Sequence, residues 1–166
     1  MKRAGRYTLY AVVLTVCGLV ISSLTSSPSF SQQSNPGRLV GSWKAAVTPI
    51  SPPGLDPFTD LLTFTSDGSV IETRRLFVPA TPFGALIETP GHGAWTRTAD
   101  GQFDIHFTFL LQRANDGADV GTDNVHLLVS LDSTGTALSG TFESTVKDPS
   151  GNALFTATGK FSANPI

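Results

Sequence analysis

The sequence predicts an all-β fold, an eight-stranded antiparallel up-and-down barrel. Eight stretches alternate apolar with polar residues, short-turn residues occupy four of the seven joins, and no segment has the apolar period of an amphipathic helix. The 16 glycines and 11 prolines among 166 residues agree with a chain rich in turns. A two-sheet sandwich is the alternative, but it needs long crossover connections for which the last four strands leave little room.

The elements follow one another as a meander. The predicted strands are residues 39–47, 60–66, 69–77, 91–98, 102–113, 122–132, 136–146 and 152–162. Asp67-Gly68, Asp100-Gly101 and Thr134-Gly135 predict two-residue hairpins, because glycine accepts the positive φ of such turns. Asp148-Pro149-Ser150-Gly151 predicts a slightly longer turn.

Three longer connections separate the remaining strands. They span residues 48–59, 78–90 and 114–121. The first two are rich in proline, which cannot donate to a central ladder, so both are predicted to be loops. Closing the sheet around its apolar side also removes exposed strand edges, and an eight-stranded barrel is wide enough to be filled by side chains or to hold one small ligand.

Residues 1–31 predict a secretory signal peptide. Three basic residues precede the uncharged stretch 7–24, and Ser29-Phe30-Ser31 has the small-x-small pattern of a cleavage site. An uncleaved membrane anchor and lipidation at Cys17 are the alternatives. We therefore expect an exported, periplasmic or secreted protein, with a linker at residues 32–38 and one domain at residues 39–166.

Removal of the signal changes the charge balance. The whole chain has 11 basic and 13 acidic residues, and the signal takes three basic residues and the single cysteine with it. The remaining net charge of −5 argues against nucleic acid and anionic membrane surfaces as partners. The exported chain is expected to have no disulfide, no metal and no cofactor.

The first predicted strand carries Gly41-Ser42-Trp43, and this Gly-x-Trp at the start of an eight-stranded meander resembles the lipocalin and calycin barrels. In that family the Trp closes the barrel floor and a basic side chain of the last strand packs across it, a position that Lys160 matches. The chain has no counterpart of the lipocalin Thr-Asp-Tyr motif and no room for the usual final helix, so it is lipocalin-like. It is also similar, more weakly, to allene oxide cyclase-like barrels, some of which cyclise substrates inside the barrel.

Inward-facing aromatic residues are the candidate ligand-binding residues. They are Trp43, Phe64, Trp95, Phe107, Phe109, Phe142 and Phe155. Small inward neighbours, Gly93, Gly140, Ala153 and Ala157, either leave a void among them or fit the taper of the barrel. The leading hypothesis is a barrel that holds a small apolar or amphipathic ligand, and the alternatives are a barrel cyclase or isomerase and a structural barrel with a filled core.

Glu72, Arg74 and His92 are the candidate catalytic residues. Ile71 and Phe77 are better core residues than Val70 and Leu76, so the pattern favours a register that leaves Glu72 outside. In the opposite register an inward Glu72–Arg74 pair would orient a polar ligand group or assist a cyclisation. His92 lies between two glycines, which let another group approach its ring.

Two further histidines lie on the polar faces of adjacent predicted strands. His106 and His126 are expected to face each other across the ladder. The chain has neither His-x-His nor His-Glu-x-x-His, and a metal site needs three converging ligands. We therefore expect exposed histidines on the barrel wall and no metal site.

Overall fold

A computed structural model describes residues 39–78, 81, 83–99 and 101–166 of the chain. The predicted signal peptide and linker lie outside this part. The strands are β1 (Gly41–Ser51), β2 (Phe58–Phe64), β3 (Ser69–Thr73), β4 (Phe77–Val78), β5 (Leu86–Glu88), β6 (Gly91–Ala99), β7 (Gln102–Arg113), β8 (Asp119–Leu131), β9 (Leu138–Lys147) and β10 (Ala153–Pro165). The described residues form no helix.

The ten strands form one closed antiparallel barrel with eight strand positions, because two of the positions are each occupied by two shorter strands. Successive strands pair with each other except β3 with β4 and β5 with β6. Instead β3 pairs with β6 and β5 with β7, and β1 pairs with β10 to close the sheet. The two interrupted positions hold β3 followed by the short β4, and β5 followed by β6. Both β5 and β6 pair with the same side of β7. The predicted barrel is confirmed, and the two-sheet sandwich is wrong because the described strands form a single closed sheet.

The sequence pattern missed part of the proline-rich connections. β4 and β5 form a small hairpin where a single loop was expected at residues 78–90, because β7 is long enough to give β5 a ladder partner beyond the end of β6. β1 also runs past its predicted end, and its ladder with β10 shifts register between Pro49 and Ser51. A bulge of this kind is where a strand tolerates proline.

The two ends of the barrel differ. The tight turns after β2, β6 and β8 lie at one end, which we call the floor, and the three long connections lie at the other, which we call the mouth. Gly68 (φ 90°) and Gly135 (φ 74°) take the left-handed conformation that the floor turns require. The mouth therefore has the longer loops.

The floor half of the barrel is a packed apolar core. Trp43, Leu62, Phe64 and Val70 are each at most 3% exposed, and the Trp43 indole Nε1 donates a hydrogen bond of 2.8 Å to the Leu39 carbonyl. Phe103 is also buried there, and the alternation predicted for β7 is present from Phe103 to Leu111. Side chains therefore fill the floor half of the barrel.

No helix in the described part of the chain is both long and apolar enough to cross a membrane.

Candidate ligand cavity

The mouth half of the barrel contains a cavity of about 670 Å³. This volume lies within the range of about 300–1,000 Å³ typical of small-molecule sites. Most of the wall is apolar, with Val47, Val125 and Leu127 deep in the barrel and Phe83 at the mouth. The side chains of the mouth half therefore do not fill the interior as those of the floor do.

Small residues have two different roles in this barrel. Ala157 is buried and lines the cavity, so its small side chain leaves space for a ligand. Gly93 and Gly140 instead allow strands to approach closely: a Cβ at these positions would lie 1.8 Å from the His106 carbonyl oxygen and 2.0 Å from that of Leu128. Ala153 is exposed.

Three of the seven predicted ligand-binding aromatics line the cavity, namely Phe107, Phe142 and Phe155. Trp43 and Phe64 belong to the floor core. Trp95, also towards the floor, donates from its indole nitrogen to the Thr65 carbonyl at 3.1 Å, and Phe109 is fully buried beneath the Arg74 guanidinium.

Three phenylalanines that were not predicted also line the cavity. They are Phe58, Phe83 and Phe161. Phe161 lies on the same face of β10 as Phe155, so strand periodicity could have identified it. Phe58 precedes the predicted second strand, and Phe83 lies in a predicted loop, so neither carried a periodic signal.

A buried ion-pair cluster lies against one side of the cavity. Arg74 Nε donates to Glu88 Oε2 at 2.8 Å, and its Nη2 donates to Glu88 Oε1 and to Asp123 Oδ2, each at 3.2 Å. Ser144 Oγ donates to Asp123 Oδ1 at 2.6 Å, and the guanidinium lies 4.3 Å from the centre of the Phe109 ring. These contacts fix the cluster and leave Arg74 only 17% exposed.

The predicted register of β3 is wrong. Ile71 is 42% exposed, whereas Glu72 is fully buried. Glu72 pairs directly with the inward-facing Leu62 of β2, and directly paired residues share a face of the sheet. Phe77 lies on β4, a separate strand after the break that follows β3, and it is also exposed. It therefore does not determine the register of β3.

Asp60 and Glu72 form a second buried acidic group beside the cluster. Burial raises the pKa of Asp60 to about 6. Burial, with the charge of Asp60 as the second cause, raises the pKa of Glu72 to about 9. Glu72 therefore keeps its proton at neutral pH and can donate it in a hydrogen bond to Asp60.

The remaining acceptor sites of this carboxyl pair are empty. Among the described residues, and apart from the proton that Glu72 itself can offer to Asp60, no N–H or O–H group donates to Glu72 or to Asp60 Oδ1. Asp60 lines the cavity and is 5% exposed, so a donor group on a bound molecule would satisfy it.

Three cavity carboxylates were not predicted from the sequence. Asp60 is on the same face of β2 as Leu62 and Phe64, and Asp123 is on the same face of β8 as Val125 and Leu127. Each is therefore an acidic residue on an apolar face. That irregularity was the available signal. Glu88 lies in the segment that was predicted to be a loop.

Two other predicted residues lie on the outer wall. His92 is exposed, pairs with Ile71 and Thr108, and does not line the cavity. Lys160 is exposed opposite Thr48, whereas Trp43 is opposite Pro165, so the expectation that Lys160 packs across Trp43 is wrong. Of the candidate catalytic residues, the barrel brings together Glu72 and Arg74 only.

Comparison with family models, curated proteins and solved structures found no match to this chain.

Proposed function

We propose that this protein is an exported, lipocalin-like barrel that holds one small amphipathic molecule in the mouth half of its interior. The observation that carries the proposal is the cavity of about 670 Å³, which combines apolar walls with buried charged groups on one side. Export rests on the N-terminal sequence, and the lipocalin-like type rests on Gly41-Ser42-Trp43 with the strand order.

The walls favour a ligand with a substantial apolar part. Phe107, Phe142, Phe155 and Phe161 face a space from which a ligand would displace water. Each methylene group transferred from water to such a wall contributes about 0.8 kcal/mol. A chain or ring of modest size therefore gains enough to offset the cost of its immobilisation.

The buried groups favour a ligand whose polar end is cationic. Asp60, Glu88 and Asp123 present three carboxylates against the single guanidinium of Arg74, and Asp60 Oδ1 lacks a donor. At the mouth, the negative charge of Asp56 is balanced by the positive charge of Arg75. A protonated amine would supply both a positive charge and hydrogen bonds to Asp60, whereas a carboxylate would be repelled.

The test compares two fluorescent ligands that differ only at the head group, a dansyl alkylamine and the corresponding dansyl fatty acid. We expect saturable binding of the amine at one molecule per chain and at least about tenfold weaker binding of the acid, equivalent to 1.4 kcal/mol. Failure of both ligands to bind saturably would refute the proposal. Equal binding would refute the cationic preference alone.

A matched pair of variants locates the binding site. Ala157→Trp places an indole in the cavity, whereas Leu154→Trp makes the same kind of change on the same strand at a position 45% exposed. We expect Ala157→Trp to abolish binding and Leu154→Trp to preserve it. Circular dichroism checks that both variants fold.

A second function, that of a barrel cyclase or isomerase, is favoured by one observation. The pKa of Glu72 is raised to about 9, so at neutral pH this fully buried carboxyl holds a proton behind Asp60, the residue of the pair that lines the cavity. A proton available in a water-poor site is what general acid catalysis requires. Incubating small-molecule extracts of the host with wild type or Glu72→Gln tests this function: conversion by wild type alone would favour it, and no conversion would exclude it.

A further inference from the structure

Asp104, His106 and His126 converge on the outer wall of the barrel. His106 of β7 is directly opposite His126 of β8, as the sequence predicts, and the two rings stack with centroids 4.1 Å apart and planes 7° apart. The Nε2 atoms of His106 and His126 lie 2.8 Å and 2.9 Å from the same oxygen, Asp104 Oδ1. Two imidazole nitrogens and one carboxylate oxygen thus point at a common place.

Strand geometry explains the convergence. Asp104 and His106 are two residues apart on β7 and so share its outer face, and a direct cross-strand partner shares that face too. The three atoms all lie within 4.8 Å of one another. Zinc bonds of about 2.0–2.2 Å in a tetrahedral arrangement place ligand atoms roughly 3.3 Å apart, so small rotations of these side chains would admit an ion.

The surroundings suit a cation. The other ladder partners of the three residues are Ala94 and Thr96 on β6, Leu128 on β8 and Glu143 on β9. None of these partners is basic, and the exposed Glu143 adds negative charge opposite His126. A divalent ion here would meet two carboxylates and no competing ammonium or guanidinium group from the paired strands.

We propose that Asp104, His106 and His126 bind one divalent transition-metal ion of the zinc type. Two imidazoles and a carboxylate are the ligands of zinc, cobalt, nickel and copper rather than of calcium or magnesium, which prefer oxygen alone. Water or an external ligand completes the coordination, because the side chains are 30–64% exposed. The site lies on the opposite face of the wall from the cavity, so it does not depend on the proposed ligand.

Sequence spacing does not reveal this site, because the His-x-His and His-Glu-x-x-His motifs both place their histidines within one strand or helix. Its two histidines lie on different strands, and the third ligand is an aspartate two residues before His106. The expectation of no metal site considered His106 and His126 without Asp104.

Zinc titration by calorimetry tests the proposal on the full protein. We expect one Zn²⁺ per chain for wild type, and binding more than about tenfold weaker after Asp104→Asn, His106→Ala or His126→Ala. His92→Ala is the matched control, an exposed histidine on the same outer wall, and should bind as wild type does. Absence of saturable zinc binding below about 1 mM, or an equal loss in His92→Ala, would overturn the proposal.

Nitrogen NMR of the histidine rings gives a second readout that does not depend on the heat of binding. Zinc should shift the Nε2 resonances of His106 and His126 together and saturate at one equivalent, with His92 unchanged. Calcium and magnesium should leave all three unchanged. Similar shifts at all three histidines would mean diffuse surface binding and would also overturn the proposal.

Discussion

Substitution of Glu72 by glutamine should flatten the pH dependence of stability. Glu72 is fully buried, and its pKa is raised from 4.5 to about 9 by burial and then by the charge of Asp60. Glutamine has nearly the same shape and keeps an N–H donor for Asp60, but it cannot ionise. The substitution therefore removes one titration and changes little else.

The sign and size follow from proton linkage. Between its ordinary pKa and the raised value, Glu72 holds a proton when folded that it releases on unfolding, so the free energy of unfolding falls as pH rises. One such proton contributes about 1.4 kcal/mol per pH unit. The raised pKa of Asp60, about 6, adds a similar effect only at lower pH. Between pH 6.5 and 8, Glu72 alone should cost wild type about 2 kcal/mol.

Urea unfolding at several pH values measures this difference. The free energy of unfolding of Glu72→Gln, relative to that of wild type, should increase by about 2 kcal/mol from pH 6.5 to pH 8. Glu143→Gln changes an exposed glutamate and should show no such growth. Parallel curves for wild type and Glu72→Gln would refute the assignment of a retained proton to Glu72.

Three further experiments, which use four substitutions, test the packing, each by urea unfolding at pH 7. Arg74→Met leaves two buried carboxylates without their partner and should cost about 3–5 kcal/mol, less at acid pH; an unchanged midpoint would contradict the buried cluster. Gly93→Ala forces a Cβ to 1.8 Å from a carbonyl oxygen and should cost at least about 3 kcal/mol, whereas a tolerated alanine would contradict the close strand approach. Phe64→Ala in the floor should cost about 3–5 kcal/mol and Phe155→Ala in the cavity about half as much, so equal losses would contradict an open mouth half.

The barrel could be predicted because its signals are local. The alternation along β7 and the glycines at Gly68 and Gly135 depend on neighbouring residues only, and both appear in the structure as expected. The short strands β4 and β5 could not be predicted in this way, because they exist through pairing with each other and with β7.

The polar part of the cavity could not be predicted because its contacts are distant in sequence. Arg74 is separated by 14 residues from Glu88 and by 49 residues from Asp123. Residue preference alone placed Ile71 inside and Glu72 outside. The opposite register is favourable once Arg74 finds two carboxylates and Glu72 remains protonated, and neither condition is visible in a single strand.

Native mass spectrometry of the protein purified from its own host tests the central claim most directly. If the mouth half holds a small molecule, the wild-type spectrum should contain one non-covalent adduct per chain under gentle conditions. The same adduct should be present in Leu154→Trp and absent from Ala157→Trp, whose indole occupies the cavity. Identical spectra for wild type and Ala157→Trp would contradict the claim that this barrel carries a ligand in its interior.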